Sequence, residues 1–413
     1  MTSYIAIDFG ASRIKSIAFN NQKKVTNKYE TQGSNYFGSK PINPFFFYSS
    51  FIKHLDYYSP KFEILNVIIS SEMHGYSIYD ANINKLSDYY SWRYNNKKKT
   101  ISKTLKSLAK NEFKLHTGLK IRKGLPIVNY FSGKKKDSKS KFLCGVGEII
   151  CVLGGKYNGN LHSSYAQSTG FYKFNNQIYL PQKNNFLNKV RNDKKNLIGK
   201  IKYDKKIISL HGGYGDLQVA FLGSKLKKNE ILINMGTGSQ IIKKNKIRTS
   251  LNYFEERNYF GEILNCITHI PSGRSLDVIA NATDKKFGKK NYFWDLAKIL
   301  SVKHLVTCND FINLDLLKLK GITKYVKNIE INSFKKFVTT VLKSYCDQYI
   351  FFLTEKVIKT LDVRTIVLSG GIPKKIPVIQ SYISKKTKLL VKVDKSKLDE
   401  TLKGLLILSK FNK

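Results

Sequence analysis

The chain has 413 residues, 42% of them hydrophobic and 13% aromatic, enough for two or three domains around a large core, which excludes a disordered chain. No apolar run reaches the ~18 residues needed to span a bilayer, and five scattered cysteines without a Cys-x-x-Cys pair argue against a zinc site or disulfide framework. The net charge of +43 comes from 64 Lys and only eight Arg; readers of bases and phosphates lean on the planar Arg fork, so the excess, including Lys97–Lys99 and Lys134–Lys136, is read as a solvated surface of the kind AT-rich codon usage leaves, with no specific nucleic-acid or membrane partner.

In chain order, the first predicted element is a β-hairpin: Tyr4 to Asp8, a turn over Gly10 to Ser12, then Ile14 to Phe19. The start lacks the basic region, apolar stretch and cleavage site of a secretory leader, so a cytoplasmic location is expected. The apolar run Ile64 to Ser70 reads as a buried strand that ends in Ser71-Glu72-Met73-His74-Gly75. A helix is predicted around 100–113, within a polar stretch broken by Pro126 and Gly133. A short strand, Ile207 to Leu210, leads into His211-Gly212-Gly213-Tyr214-Gly215-Asp216, and helical spacing begins at Asp216. The first hairpin then has a second copy 226 residues on: Glu230 to Asn234, Met235-Gly236-Thr237-Gly238-Ser239, with Asp8 matched by Asn234 and Gly10 by Gly236. Residues 333–361 carry apolar side chains at three- and four-residue steps, a helix that Ser333 can cap. The strand Arg364 to Leu368 stops at Ser369-Gly370-Gly371, and a last helix runs from Leu398 to Leu408. Strands alternating with helices indicate an α/β architecture, with a domain boundary near 224.

Glycine in such turns lets backbone N–H groups approach and cradle phosphate oxygens. Taken alone, either turn reads first as an ordinary hairpin; the matched pair favours phosphate binding. Asp8 adds a carboxylate suited to a phosphate-bound Mg²⁺, which takes one or two carboxylates with phosphate oxygens, or else it only stabilises its turn. Asp216, where a helix begins, is either a base kept ionised by the helix dipole or a plain N-cap.

These segments together resemble the FGGY family of carbohydrate kinases, of the actin-like ATPase superfamily. Asp8-Phe9-Gly10-Ala11-Ser12 through Lys15 is similar to the first phosphate loop, and Glu72-Met73-His74-Gly75 to the sugar-contacting Gln-Met-His-Gly loop of xylulokinases and sedoheptulokinases. Gly215-Asp216-Leu217-Gln218 resembles the loop of the catalytic aspartate. Gly236-Thr237-Gly238-Ser239 resembles the second phosphate loop. Ser369-Gly370-Gly371, with Glu400 and Gly404 downstream, resembles the adenosine-side motif and closing helix. The five motifs occur in the family's order over nearly the whole chain.

The resemblance implies two actin-like (ribonuclease H-like) domains, 1–224 and 225–413, with an interdomain cleft for ATP and a sugar. It makes Asp216 the general base and Asp8 the Mg²⁺ anchor. It gives phosphate contacts to Gly10, Ala11, Ser12, Lys15, Gly236, Thr237 and Gly238, and adenosine contacts to Gly370 and Gly371. Met73 and His74 would meet the sugar, His74 as a hydrogen-bond donor. Gln218 would contact sugar or phosphate, or lie on the helix surface. Trp92 would wall the sugar site or sit in the core. The expected substrate is a ketose such as sedoheptulose or xylulose. A polyol kinase, or a non-catalytic sensor of nucleotide and sugar on the same fold, remains the alternative, and self-association into a homodimer is left open. Arg274, in His269 to Arg274, belongs to a turn that ends a strand or else meets an acidic cap or a distal sugar phosphate, and Ala166-x-Ser168-Thr169-Gly170 is expected to pack. The chain departs from the pattern at Ala11 for Thr, at Glu72 for Gln, and at Arg93-Tyr94, where an Asp is missing.

Overall fold

The computed structural model describes residues 3–20, 28–94, 100–110, 112–133, 139–181, 183, 185–236, 238–249, 251–316, 318–395 and 398–412. Thr237 and the runs Lys97–Lys99 and Lys134–Lys136 lie outside the described residues. Contacts divide the chain into two compact units: 1–225 with 255–263 and 398–413, and 226–254 with 264–397. Two short segments return to the first unit, where a single cut at 224 would have left them in the second.

The first unit is built on a seven-stranded sheet of β1 (Ser3–Phe9), β2 (Arg13–Phe19), β3 (Tyr29–Gln32), β4 (Ile64–Ser71), β5 (Gly155–Tyr157), β6 (Leu197–Tyr203) and β7 (Lys206–Gly215), in the order β3-β2-β1-β4-β7-β6-β5. β4 pairs parallel with both β1 and β7, and the outer pairs are antiparallel. Alternate residues of a strand point to opposite faces, and here both faces are apolar. Ile5, Ile7 and Phe9 enter one core cluster with Val67 and Ile69. Tyr4 and Ala6 enter another with Ile68, Val219, Leu402, Leu405 and Leu408. The helices Asp216–Ser224 and Glu400–Leu408 cover that second face. They approach closely because both contacts are glycines: a Cβ on Gly223 would collide with the Glu400 carbonyl, and one on Gly404 with the Val219 carbonyl. Burying each Leu on this face contributes roughly 1.5–3 kcal/mol, which favours the return of the C-terminal helix to this unit.

The strand expected at Ile207 to Leu210 continues through the glycines to Gly215, with a register shift between His211 and Tyr214 where it pairs with β4. The loop read from the glycines is therefore an irregular strand that delivers Asp216 to the start of its helix. The helix expected around 100–113 is two, Thr100–Lys110 and Phe113–Thr117. Further apolar residues, among them Phe113, Ile127, Tyr165 and Phe171, make a third core cluster in this unit. The segment 162–170 is the buried helix Ser163–Ser168 and its flanks, in keeping with the packing role expected of it.

The second unit repeats the scheme with β8 (Glu230–Met235), β9 (Ser239–Asn245), β10 (Glu262–Ile270), β11 (Thr365–Ser369) and β12 (Leu390–Val393), in the order β10-β9-β8-β11-β12. β8 and β9 form an antiparallel hairpin, and β8 pairs parallel with β11. One apolar cluster fills this unit. The stripe read over 333–361 is helical from Phe334 to Phe352 and resumes as Glu355–Thr360, capped by Thr354, whose Oγ1 accepts the Val357 N–H. Ser333 stands at the N-cap of the longer helix without a side-chain cap bond, because its backbone is already helical (φ −88°, ψ −5°) rather than extended. Among the described residues no helix is long and apolar enough to cross a membrane.

Candidate active site

Asp8 sits near the end of β1, opposite Ser70 on β4 and Lys15 on β2. The Ser70 hydroxyl donates to Asp8 Oδ1 at 2.9 Å. The carboxyl is 5% exposed and is pushed up to about 8, first by burial and then by the charges of Asp399 and Asp216. Lys15 Nζ meets Asp399 Oδ2 at 2.6 Å. That pairing raises the ammonium and lowers the Asp399 carboxyl against the opposing effect of burial. Asp399 also caps the last helix, accepting the Thr401 N–H. The turn between the strands is fixed through its carbonyls, with Gly33 N donating to Ser12 O at 3.2 Å and Asn35 N to Ala11 O at 2.7 Å. Asn35 also donates to Ser12 Oγ at 2.8 Å.

Asp399 and Asp216 both raise the Asp8 carboxyl, and a cation beside Asp8 would relieve that repulsion. Among the described residues no group of three or more His, Cys, Asp or Glu side chains is arranged to hold a metal by itself. A hard cation at Asp8 would have to bring water and phosphate oxygens as its other ligands, as Mg²⁺ does.

Asp216 is the first residue of its helix, with Gly215 at the N-cap; it is not itself the cap. Its Oδ1 accepts the Leu217 N–H at 2.8 Å. Burial raises its carboxyl to about 6; the accepted N–H and Arg257 hold it back, while Glu72 adds to the rise. A carboxylate with this value is ionised at neutral pH yet basic enough to take a proton. Gly215 N donates to Ser164 Oγ at 3.0 Å, and Ser164 in turn meets His162 Nδ1 at 2.7 Å, which ties the turn before Asp216 to a buried helix.

Two of the departures from the family pattern pair with each other. Glu72, 3% exposed, accepts from Ser34 Oγ at 3.0 Å and Tyr89 OH at 3.2 Å, and lies 3.5 Å from Arg93 Nη1. Arg93 Nη2 also donates to Ser34 at 2.8 Å. Burial raises the Glu72 carboxyl while Arg93 and the two hydroxyls oppose the rise. Trp92 is 39% exposed, with the Arg93 guanidinium 4.9 Å above its ring, so it is not a core residue.

His74 is buried and held at φ 64°, a left-handed conformation that is uncommon outside glycine. Its Nδ1 lies 2.6 Å from Ser168 O, and a carbonyl only accepts, so Nδ1 carries the proton. Nε2 is then an acceptor, and it faces Arg122 Nη2 at 3.1 Å and both terminal nitrogens of Arg257 at 3.4 Å. Burial first, then these two cations, hold the imidazole well below its usual value. The expected donation from His74 to a sugar is not available in this arrangement: its one N–H is spent on Ser168. Met73 is 6% exposed and lies against Arg257, with Nη1 3.8 Å from its sulfur. Gln218 is fully buried rather than on the helix surface, and donates to Asn258 O at 3.1 Å.

In the second unit Asn234 is paired with Ser369 across β8 and β11, and with Gln240 across the hairpin. Gly370 has φ 92°, and a Cβ there would strike the Met235 carbonyl. Only glycine serves both demands. Gly236, Gly273, Gly371 and Ile372 line one side of a cavity of about 670 Å³, with Trp294, Asp277 and Lys375 also on its wall. The size suits a nucleoside. Gly238 has open space where a Cβ would lie. Arg274 is exposed in the first turn of the helix Gly273–Phe287, just past the end of β10.

Sequence reasoning missed Asp399, Arg122, Glu255, Arg257 and Trp294. One signal was present: in a chain with 64 Lys and eight Arg, a retained Arg marks a place where a planar fork is needed.

No family model matches the chain, and no curated protein matches it by sequence. Solved structures do match in fold. The ligand-bound xylulose kinase of Lactobacillus acidophilus is 13% identical with a TM-score of 0.77, over 100% of this chain and 90% of its own. The gluconate kinase of the same organism is 13% identical, with a TM-score of 0.76 over the same shares. Plasmodium falciparum glycerol kinase with ADP is 12% identical, with a TM-score of 0.76, again over 100% and 90%. The chain has the two-domain, actin-like α/β fold of these carbohydrate kinases; at such identities the likeness establishes the fold alone.

Proposed function

We propose that the protein is an ATP-dependent kinase that phosphorylates a sugar hydroxyl, with a ketose such as sedoheptulose or xylulose as acceptor. The observation that carries the reading is the pair Asp8 and Asp216. Both are carboxylates of the first unit, each raised by burial, on a fold shared with proteins described as xylulose, gluconate and glycerol kinases.

Asp216 accepts the proton of the attacking hydroxyl. Its Oδ1 is steadied by the Leu217 amide, which fixes the orientation of the carboxylate. The amides of Gly10, Ala11 and Ser12 donate to phosphate oxygens where charge develops; in the second hairpin the Gly236 N–H is engaged by the Gly238 carbonyl at 3.2 Å, which leaves the Gly238 amide as the phosphate donor there. Lys15 adds a positive charge to the first loop. Asp8 holds Mg²⁺, whose chemistry is to neutralise phosphate charge during transfer. The cavity beside Gly236 and Gly371 takes the adenosine, with Gly370 permitting the close turn. Met73, Trp92 and Gln218 belong to the acceptor side, and His74 orients the two guanidiniums facing its Nε2. The Met73-His74 loop favours a ketose over a small polyol.

The test is a coupled ADP-release screen over ketoses, aldoses and polyols. Acceptor-stimulated release, lost in Asp216→Asn, is expected. Release that ignores every acceptor would move the protein to the sensing reading, and a polyol as the one good acceptor would make it a polyol kinase.

A further inference from the structure

Beside Met73 and His74 the first unit gathers two arginines on one buried carboxylate. Glu255 takes both arginines, Arg122 Nη1 at 2.5 Å and Arg257 Nη2 at 2.5 Å. It also accepts the Lys120 backbone N–H at 3.0 Å. The two guanidiniums hold the Glu255 carboxyl well below the usual range despite burial, and the Lys120 side chain feels the same carboxylate. One carboxylate thus serves two arginines. His74, kept neutral, contributes an acceptor but no charge.

Arg257 is 1% exposed, and its Nε has no hydrogen-bond partner among the described residues. Arg122 is more open, its side chain 27% exposed, so the cluster is reachable from one end. Asp216 is a further negative group that senses Arg257. A buried guanidinium that shares its carboxylate with another and keeps an unpartnered N–H is suited to an added anion, and paired arginines offer the fork geometry that carboxylates and phosphates match. Three of the chain's eight arginines, Arg93, Arg122 and Arg257, are each paired with a buried carboxylate.

We infer that Arg122 and Arg257, set by Glu255 and His74, bind an anionic group of the acceptor, a carboxylate or a phosphate. This rests on the kinase reading and takes it past the neutral ketoses to sugars that carry such a group. Lys120 adds to the local field. Arg257 is the buried anchor and Arg122 the solvent-side contact.

The experiment pairs each acid with its neutral counterpart: D-gluconate with D-glucitol, and D-xylulose 5-phosphate with D-xylulose. Binding is measured by calorimetry and turnover by ADP release, for wild type, Arg122→Met and Arg122→Lys, with thermal melting as the check on folding. The expected result is tighter binding of the anionic member of at least one pair, by about 10- to 100-fold. Arg122→Met should lower the anionic-to-neutral ratio by a similar factor, and Arg122→Lys should restore part of it. Which pair responds separates carboxylate from phosphate. Equal or better binding of the neutral members, no binding of either anion, or a ratio unmoved by Arg122→Met in a folded variant would overturn the inference. Turnover of a neutral ketose in that case would leave the kinase reading standing. Anion-selective binding without ADP release from any acceptor would support the anion site and remove the kinase reading instead.

Discussion

The hairpin β1–β2 and the hairpin β8–β9 share a plan down to single residues, and they differ where it matters. In each, the last polar residue of the first strand faces a serine on a parallel neighbour: Asp8 faces Ser70, and Asn234 faces Ser369. In the first, the serine hydroxyl donates to a carboxyl that burial first, and then two further carboxylates, push up to about 8. In the second, the amide carries no charge, and Ser369 Oγ has no hydrogen-bond partner among the described residues. One scaffold thus supports a charged turn suited to a cation and a neutral turn beside a nucleoside-sized cavity. The charge itself, rather than the backbone, distinguishes the two tasks.

The division of labour extends around each turn. The first unit buries Asp8, Glu72, His74, Glu255 and Arg257, each held by a named partner. The second unit's core is a single apolar cluster, and its cavity is lined by glycine, Ile372 and Trp294 with charges at the margin. On the proposed reading, proton chemistry and acceptor recognition use the fixed charges of the first unit, and the shape of the second seats the base.

The largest expected effect comes from the charged side. Asp216→Asn should lower turnover by about 10³- to 10⁴-fold while raising the melting temperature of the ligand-free protein. The carboxyl lies at about 6 against an ordinary 3.8, so folding favours its protonated form. That contribution is complete below 3.8 and is lost as pH rises through about 6, whereas Asn stays neutral throughout. A loss of turnover accompanied by a lower melting temperature would mean that Asp216 serves the fold. Asp8→Asn, which makes the first turn resemble the second, should cost about 10²-fold and flatten the dependence of turnover on Mg²⁺. An unchanged Mg²⁺ titration would place the metal elsewhere.

The converse change, Asn234→Asp, puts a carboxylate across the hairpin from Gln240, where the first turn has Lys15, and should destabilise by about 1–3 kcal/mol at pH 7 in urea unfolding. A neutral outcome would mean that the two turns tolerate charge alike. The smallest effect is a proton count. With Asp8 at about 8, binding of Mg-nucleotide at pH 7 should release close to one proton, read by calorimetry in buffers of different ionisation enthalpy. Asp8→Asn should abolish that release, and a wild-type release of zero would contradict the assignment.

Much of this plan was legible in the sequence because it is local. The hairpins announce themselves through glycine between apolar runs, and the helix Phe334–Phe352 through its period. Asp8 and Asp216 stand out by their place beside glycine. What was not legible depends on contacts between distant positions. Lys15 meets Asp399 across 384 residues, and Arg122 meets Glu255 across 133; no local pattern encodes either. Glu72 and Arg93 read as two separate departures until the ion pair joined them. The role of His74 depends on which ring nitrogen carries a proton, and only the Ser168 carbonyl decides that.

The most direct test of the account is the pH dependence of kcat/KM for whichever acceptor is turned over, at saturating nucleotide, in the wild type and in Asp216→Asn. If Asp216 is the base, wild-type kcat/KM is flat above about 6 and falls tenfold per pH unit below it, while the residual activity of Asp216→Asn lacks that limb. A wild-type profile with no acid limb near 6, or one that Asp216→Asn retains, would contradict the account.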